Sequence, residues 1–347
     1  MRRGVACFLI ICSFIQATRG IVIPCCDRYM HVVLENLQIL RGVHDCQLPI
    51  EIWYAGNELD DECIEALKAF SPISFKDIAA IRKENPKKFR GWQIKGYAIG
   101  YTNFDEVILL DADLMLFQNP EILFDHPGYI QTGAFLFRDQ TWSIQGGIDS
   151  SDFAKPFTDS YYFARKRFLT KVIEKPSSYL PQEWSHYWDP EIKPTKTIKI
   201  SLDHVESGCV LIDRKRHARG VESIVDLNRD YKETYKLFWG DKETYWVAFE
   251  MEKEPYFVNP EYPKTYFTHA FDSEDRIDIV QFINDTPFYQ QKSTKKPTEA
   301  SQFIDADFQT CPFSITKYEG HFRYLTEEEI DALYQAYFLS KTYMEEI

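Results

Sequence analysis

No run of about twenty apolar residues occurs in this sequence, so nothing in it reads as a confident membrane span. It contains no C-x-x-C pair, which speaks against a zinc site or thioredoxin-type chemistry. It also lacks G-x-x-x-x-G-K, G-x-G-x-x-G, H-E-x-x-H and G-x-S-x-G. P-loop phosphoryl transfer, dinucleotide binding, zinc peptidase and serine hydrolase chemistry therefore drop out. There is no internal repeat, and hence no solenoid. Positive charge is in deficit, with 40 Lys and Arg against 53 Asp and Glu and a net charge of -13. No basic face can then offset phosphate repulsion along a nucleic acid. A single anionic nucleotide stays admissible, because a metal ion and one or two local Lys or Arg residues invert the field at one spot.

The residues present are enough for a globular enzyme. The 347 residues are 44% hydrophobic, which suits one large α/β domain with insertions or two small ones. The 21 Tyr, 26 Phe and 7 Trp serve core packing first and sugar stacking second. Residues 1–20 read as a signal or anchor segment: Arg2 and Arg3, an apolar stretch over residues 5–15, then a small polar close. This points to the secretory pathway (Golgi or ER lumen) or secretion, with membrane association through the N-terminus as one form of it and a cytoplasmic enzyme as the alternative. The eight cysteines are scattered, and spacing does not reveal pairing. Asn284-Asp285-Thr286 fits the N-glycosylation acceptor.

The coarse pattern alternates strand and helix. Residues 21–23 and 49–54 read as buried strands, and residues 29–40 and 60–70 as helices. A helix over 92–101 leads to the apolar strand 107–110, and 209–213 is a further strand. This order predicts a mostly parallel sheet flanked by helices, with right-handed crossovers, in one domain over 21–347. Residues 139–202 are polar, rich in Pro and aromatics, and read as an acceptor-side insertion. Residues 326–340 are expected to form a C-terminal helix, with Thr326 as N-cap and Glu329 completing a capping box.

In such sheets ligands bind beyond the carboxyl ends of the strands. Directly after Leu110 comes Asp111-Ala112-Asp113. Two Asp residues at i and i+2 of an extended backbone project to one side and can share a cation. A hard ion such as Mn2+ or Mg2+ suits those oxygens and leaves positions for a diphosphate. Asp305-Ala306-Asp307 repeats the tripeptide, but no strong strand precedes it, and it reads as a turn.

Four ordered blocks carry a resemblance: IVIPCCDRYMHVVLENLQILRGVHDCQLPIEIWYAGNEL from Ile21, WQIKGYAIGYTNFDEVILLDADLMLFQNPEILF from Trp92, ESGCVLIDRKRH from Glu206 and GDKETYWVAF from Gly240. Together they resemble the fungal α-1,3-mannosyltransferases, within the glycogenin-like nucleotide-diphospho-sugar transferase (GT-A) superfamily. The resemblance implies that Asp111 and Asp113 bind the metal and that Lys95 lies near the donor phosphates or sugar. It implies that Glu206, Ser207 and Gly208 line the donor sugar, and that Asp241 and Lys242 lie near the reacting sugar. Transfer with retention follows from the resemblance, with Glu206 and then Asp241 as the catalytic carboxylates. Relatives supply a late His as third metal ligand; here His269 is the nearest substitute and His321 another. The implied donor is GDP-mannose or a UDP-hexose, and the acceptor a glycan or glycoprotein hydroxyl. Two other readings stand beside it. A nucleotidyltransferase is disfavoured because Pro24-Cys25-Cys26-Asp27 is unlike a Gly-rich phosphate loop. A catalytically degenerate glycan-binding relative is disfavoured by the intact Asp pair.

Overall fold

The computed structural model describes residues 18–89, 91–139, 159–190, 204–269, 275–291, 314–317 and 321–324. Among these, the strands are β1 (Arg19–Pro24), β2 (Ile50–Tyr54), β3 (Ile73–Asp77), β4 (Glu106–Leu110), β5 (Leu114–Leu116), β6 (Ala134–Arg138) and β7 (Val205–Asp213). They continue with β8 (Phe257–Val258), β9 (Lys264–His269), β10 (Asp275–Ile283), β11 (Thr286–Gln291), β12 (Ser314–Lys317) and β13 (His321–Tyr324).

The central sheet has the order β3-β2-β1-β4-β7-β6-β8. The pairs β3/β2, β2/β1, β1/β4 and β6/β8 are parallel, and only β4/β7 and β7/β6 are antiparallel. This is the mostly parallel α/β sheet that the strand–helix alternation predicts. The apolar runs in β1 and β4 have a simple cause: both faces of the sheet are buried. Val22, Val107 and Leu109 enter one core, with the helices Gln93–Tyr101 and Thr244–Glu252. Ile21, Ile23, Ile108 and Leu110 alternate into the other, against the helix Met30–Gln38. A second sheet, β13-β12-β9-β10-β11-β5, borrows β5 directly after the Asp pair. The side chain of Gln281 in β10 donates to the Arg138 carbonyl at 2.8 Å, and Asn259 donates to the Phe282 carbonyl at 2.7 Å, which ties the two sheets together.

Several boundaries differ from the sequence expectation. The first strand begins at Arg19, two residues before the expected start, with Arg19 opposite Glu106 and Gly20 opposite Val107. The helix expected over 60–70 is an α-helix over Asp61–Leu67 that tightens into a 3-10 turn at Lys68–Phe70; Asp60 caps it by accepting from Cys63 N at 2.8 Å. The strand expected at 209–213 starts four residues earlier, at Val205. Within the expected insertion, the described residues 159–190 hold a helix at Asp159–Val172 and a 3-10 segment at Gln182–Tyr187. The expected leader over residues 1–17, the second Asp-x-Asp at 305–307 and the helix over 326–340 lie outside the described residues. Asn284 and Asp285 form the exposed turn of the β10/β11 hairpin with φ of 52° and 60°, so the glycosylation motif lies on an accessible loop. Among the described residues, no helix is long and apolar enough to cross a membrane.

Candidate active site

The strand order reverses at β1, which has β2 on one side and β4 on the other. A crevice at the carboxyl ends of β1 and β4 is the ligand position that such a reversal creates. Asp111-Ala112-Asp113 sits there, but not as the extended segment expected. The chain leaves β4 at Leu110, turns through these residues, and enters β5 at Leu114 to join the other sheet. Asn36, buried on the helix Met30–Gln38, donates to the Ala112 carbonyl at 2.7 Å and fixes the turn. The Asp111 N–H donates to the Gly208 carbonyl at 2.8 Å. Both acids remain partly exposed, and each acts on the other electrostatically.

Lys95 lies behind the turn, buried and 4% exposed. It projects from the first turn of the helix Gln93–Tyr101. Its ammonium donates to Asp111 Oδ2 at 2.6 Å and to Ser207 Oγ at 3.2 Å, and lies 3.6 Å from Asp241 Oδ1. Burial pulls the Lys95 pKa down, but the carboxylates of Asp111, Asp241 and Glu206 outweigh that and leave it raised. Asp111 is pushed up to about 8, first by burial and then by the like charges of Asp113 and Asp241, with Lys95 opposing. One ammonium among three carboxylates leaves a surplus of negative charge, which a proton or a divalent cation relieves.

The Glu206-Ser207-Gly208 segment is displaced from regular sheet geometry. The β6/β7 register runs Leu136 opposite Val210 and then Phe137 opposite Glu206, so residues 207–209 bulge out of the ladder. Bulges re-aim side chains beside active sites. Glu206 is 1% exposed, and its Oε2 accepts from Tyr289 Oη at 2.6 Å and from the Gly208 N–H at 2.6 Å. A Cβ at Gly208 would lie 2.7 Å from that oxygen and 3.0 Å from Leu114 Cδ2, so this close approach requires glycine.

Asp241 is equally buried, at 1% exposed, and its Oδ2 accepts from Tyr245 Oη at 2.8 Å. Thr244 closes the same turn by donating to the Asp241 carbonyl, 2.6 Å from Oγ1. Lys242 points elsewhere: its ammonium donates to Asp139 Oδ2 at 2.6 Å, at the head of the insertion. The structure thus brings Lys95, Asp111, Asp113, Glu206, Ser207, Gly208 and Asp241 to one place and sets Lys242 at its edge. His269 ends β9, opposite Asp275 of β10, and His321 starts β13; their side chains lie outside the described residues.

Four contributors were not expected: Asn36, Tyr245, Tyr289 and Tyr29, whose hydroxyl pKa is raised by burial and then by Asp113. Tyr245 had a usable signal, being four residues after Asp241 at helical spacing. Tyr289 had none, because it arrives from a hairpin 83 residues away from Glu206 in sequence.

Similarity to known proteins identifies the family. A family model described as "Mannosyltransferase putative" matches residues 18–295. Alpha-1,3-mannosyltransferase MNT3 of Saccharomyces cerevisiae is 26% identical over 253 residues, covering 70% of this chain and 39% of that protein. Alpha-1,2-mannosyltransferase MNN23 of Candida albicans is 25% identical over 295 residues, covering 80% of this chain and 47% of that protein. The chain therefore spans less than half the length of either relative. Among solved structures, core-mannan synthase A of Aspergillus fumigatus in its Mn/GDP form aligns at 10% identity and a TM-score of 0.45, covering 68% of this chain and 70% of that one. The match over residues 18–295 includes both buried carboxylates, the Asp pair and the lysine between them, and this chain belongs to the mannosyltransferase family that the match defines.

Proposed function

We propose that this chain transfers a hexose, mannose from GDP-mannose, to a hydroxyl of a glycan or glycoprotein with retention, in the secretory pathway. The observation that carries the reading is the placement of two partly open carboxylates, Asp111 and Asp113, against a buried Lys95–Asp241–Glu206 cluster. The names of the relatives support the sugar, and the excess of acids over ammonium supports a cation. The donor set is carboxylate oxygen, which suits Mn2+ or Mg2+. Asp111 and Asp113 hold the ion in this proposal, with His269 as third ligand; when bound, it neutralises charge on the departing diphosphate. Lys95 adds a fixed positive charge on the sugar side of that diphosphate. Asp241, oriented by Tyr245, accepts from donor hydroxyls. Glu206 faces the carbon that loses its phosphate bond and stabilises the positive charge developing there.

A thermal-shift panel of GDP, UDP, GDP-mannose and UDP-hexoses, each with and without Mn2+, tests this directly. Stabilisation that needs Mn2+ and is largest with GDP-mannose is expected. The absence of any nucleotide effect with Mn2+ present would remove the proposal, and a full Mn2+ shift in His269→Ala would remove that ligand. Preference for UDP-hexoses would move the donor but not the reaction class.

Tyr289 is expected to act through Glu206. Tyr289→Phe removes one of two hydrogen bonds to a buried carboxylate oxygen, worth about 1.5–3 kcal/mol when one partner is charged. We expect kcat to fall roughly tenfold or more, with donor KM little changed. Steady-state kinetics beside a melting curve checks this; unchanged kcat in a folded variant would show that the contact is only structural.

A further inference from the structure

We propose that Trp92 is the stacking platform of an acceptor subsite, taking the apolar face of a hexopyranose ring at the mouth of the crevice. The inference rests on the transferase reading and deepens it. Trp53, Trp184 and Trp246 are buried in the cores, but Trp92 is 52% exposed. It is the N-cap residue of the helix Gln93–Tyr101, three residues before Lys95. Residues at i and i+3 share a helix face. The indole therefore stands on the same side as the site ammonium, one turn nearer solvent.

Its seat is specific. A Cβ on Gly240 would lie 2.7 Å from Trp92 Cε3 and 2.9 Å from Cδ2, so the ring rests against bare backbone. Gly240 has φ +69°, a conformation that other residues seldom adopt. The next residue is Asp241, whose Oδ1 lies 3.6 Å from Lys95 Nζ. Trp239, just before Gly240, is 48% exposed. An open aromatic face beside a buried carboxylate matches a pyranose, which offers C–H groups on one face and hydroxyls around its edge. In the transferase reading the transferred sugar takes the deeper place, between the Asp pair and Glu206. The ring that meets Trp92 first comes from solvent and is the acceptor.

The test compares wild type, Trp92→Ala and Trp92→Phe in the full chain, using methyl α-mannoside and α-linked mannobioses as acceptors. Loss of one aromatic stack is expected to raise acceptor KM about tenfold. The change in kcat should be smaller, and phenylalanine should restore most of the affinity. Acrylamide quenching of tryptophan emission supplies a readout that does not require turnover. Mannobiose should protect the emission of wild type and not that of Trp92→Ala. Wild-type acceptor KM in Trp92→Ala, or equal protection in both proteins, overturns the platform. Protection that depends on Trp92 in a chain that turns over no donor supports the platform and refutes the transferase reading.

Discussion

Asp113→Ala is expected to abolish Mn2+-dependent sugar transfer, by about 10³-fold or more, in a protein that still folds. A bound cation contributes several kcal/mol of charge stabilisation as the diphosphate departs, and each 1.36 kcal/mol is a factor of ten in rate. The fold should tolerate the change because Asp113 is partly exposed and Asn36 holds the turn through the backbone of Ala112. Removing a negative charge beside Asp111 also lessens the repulsion that raises it. The pH dependence has its origin in the same crowding. With no cation bound, the Asp111 carboxyl is pushed up to about 8, above its value in the unfolded chain. The folded state then binds more protons than the unfolded state between roughly pH 4 and 8, so this group's contribution to stability falls as pH rises through that window. Mn2+ competes with the proton and should raise the melting temperature more at pH 8 than at pH 6. Activity assays with calorimetric titration of Mn2+ check both parts. Full turnover by wild type in excess chelator would end the metal role.

Lys95→Met should combine loss of turnover with the largest loss of stability at the site. The ammonium is 4% exposed and sits 2.6 Å from Asp111 Oδ2 and 3.6 Å from Asp241 Oδ1. Breaking a buried pair by removing one partner costs about 3–5 kcal/mol, because the other charge stays buried without compensation. Here two carboxylates lose it together. Desolvation and the charges of Asp113 and Asp241 already raise Asp111; the Lys95 charge opposes them, and the variant gives up that opposition. A carboxyl raised further in the folded state makes stability fall more steeply with increasing pH, so the variant's deficit should be greater at pH 8 than at pH 5. Urea unfolding at the two pH values measures this, and added Mn2+ should recover part of the deficit. Equal stability of variant and wild type at pH 8 would show that the lysine's contribution is nil.

The core elements were legible because their signals are local. The alternation of Ile21, Val22 and Ile23, and the run from Val107 to Leu110, mark strands buried on both faces wherever they pair. The position of Asp111 and Asp113 beyond such a strand points to ligand chemistry without coordinates, and the resemblance added Lys95, Glu206 and Asp241. The expected shape of the Asp pair was less accurate. An i, i+2 spacing suggests an extended segment, but Leu114 to Leu116 pair with β11 and pull the chain into a turn. Gln118 and Asn119 carry the chain onward from there, and no feature near them announces the second sheet.

Sequence by itself determined three of the parallel strands, β1, β2 and β4, the last of which ends at the acids, and the kinds of side chain available for the reaction. These depend on hydrophobic period and on residue type, which are properties of short segments. Tertiary structure decided which groups act on one another: Lys95 among three carboxylates, Tyr289 on Glu206, and Trp92 on Gly240. Such contacts join residues far apart in the chain, and desolvation sets their strength, so no local pattern encodes them.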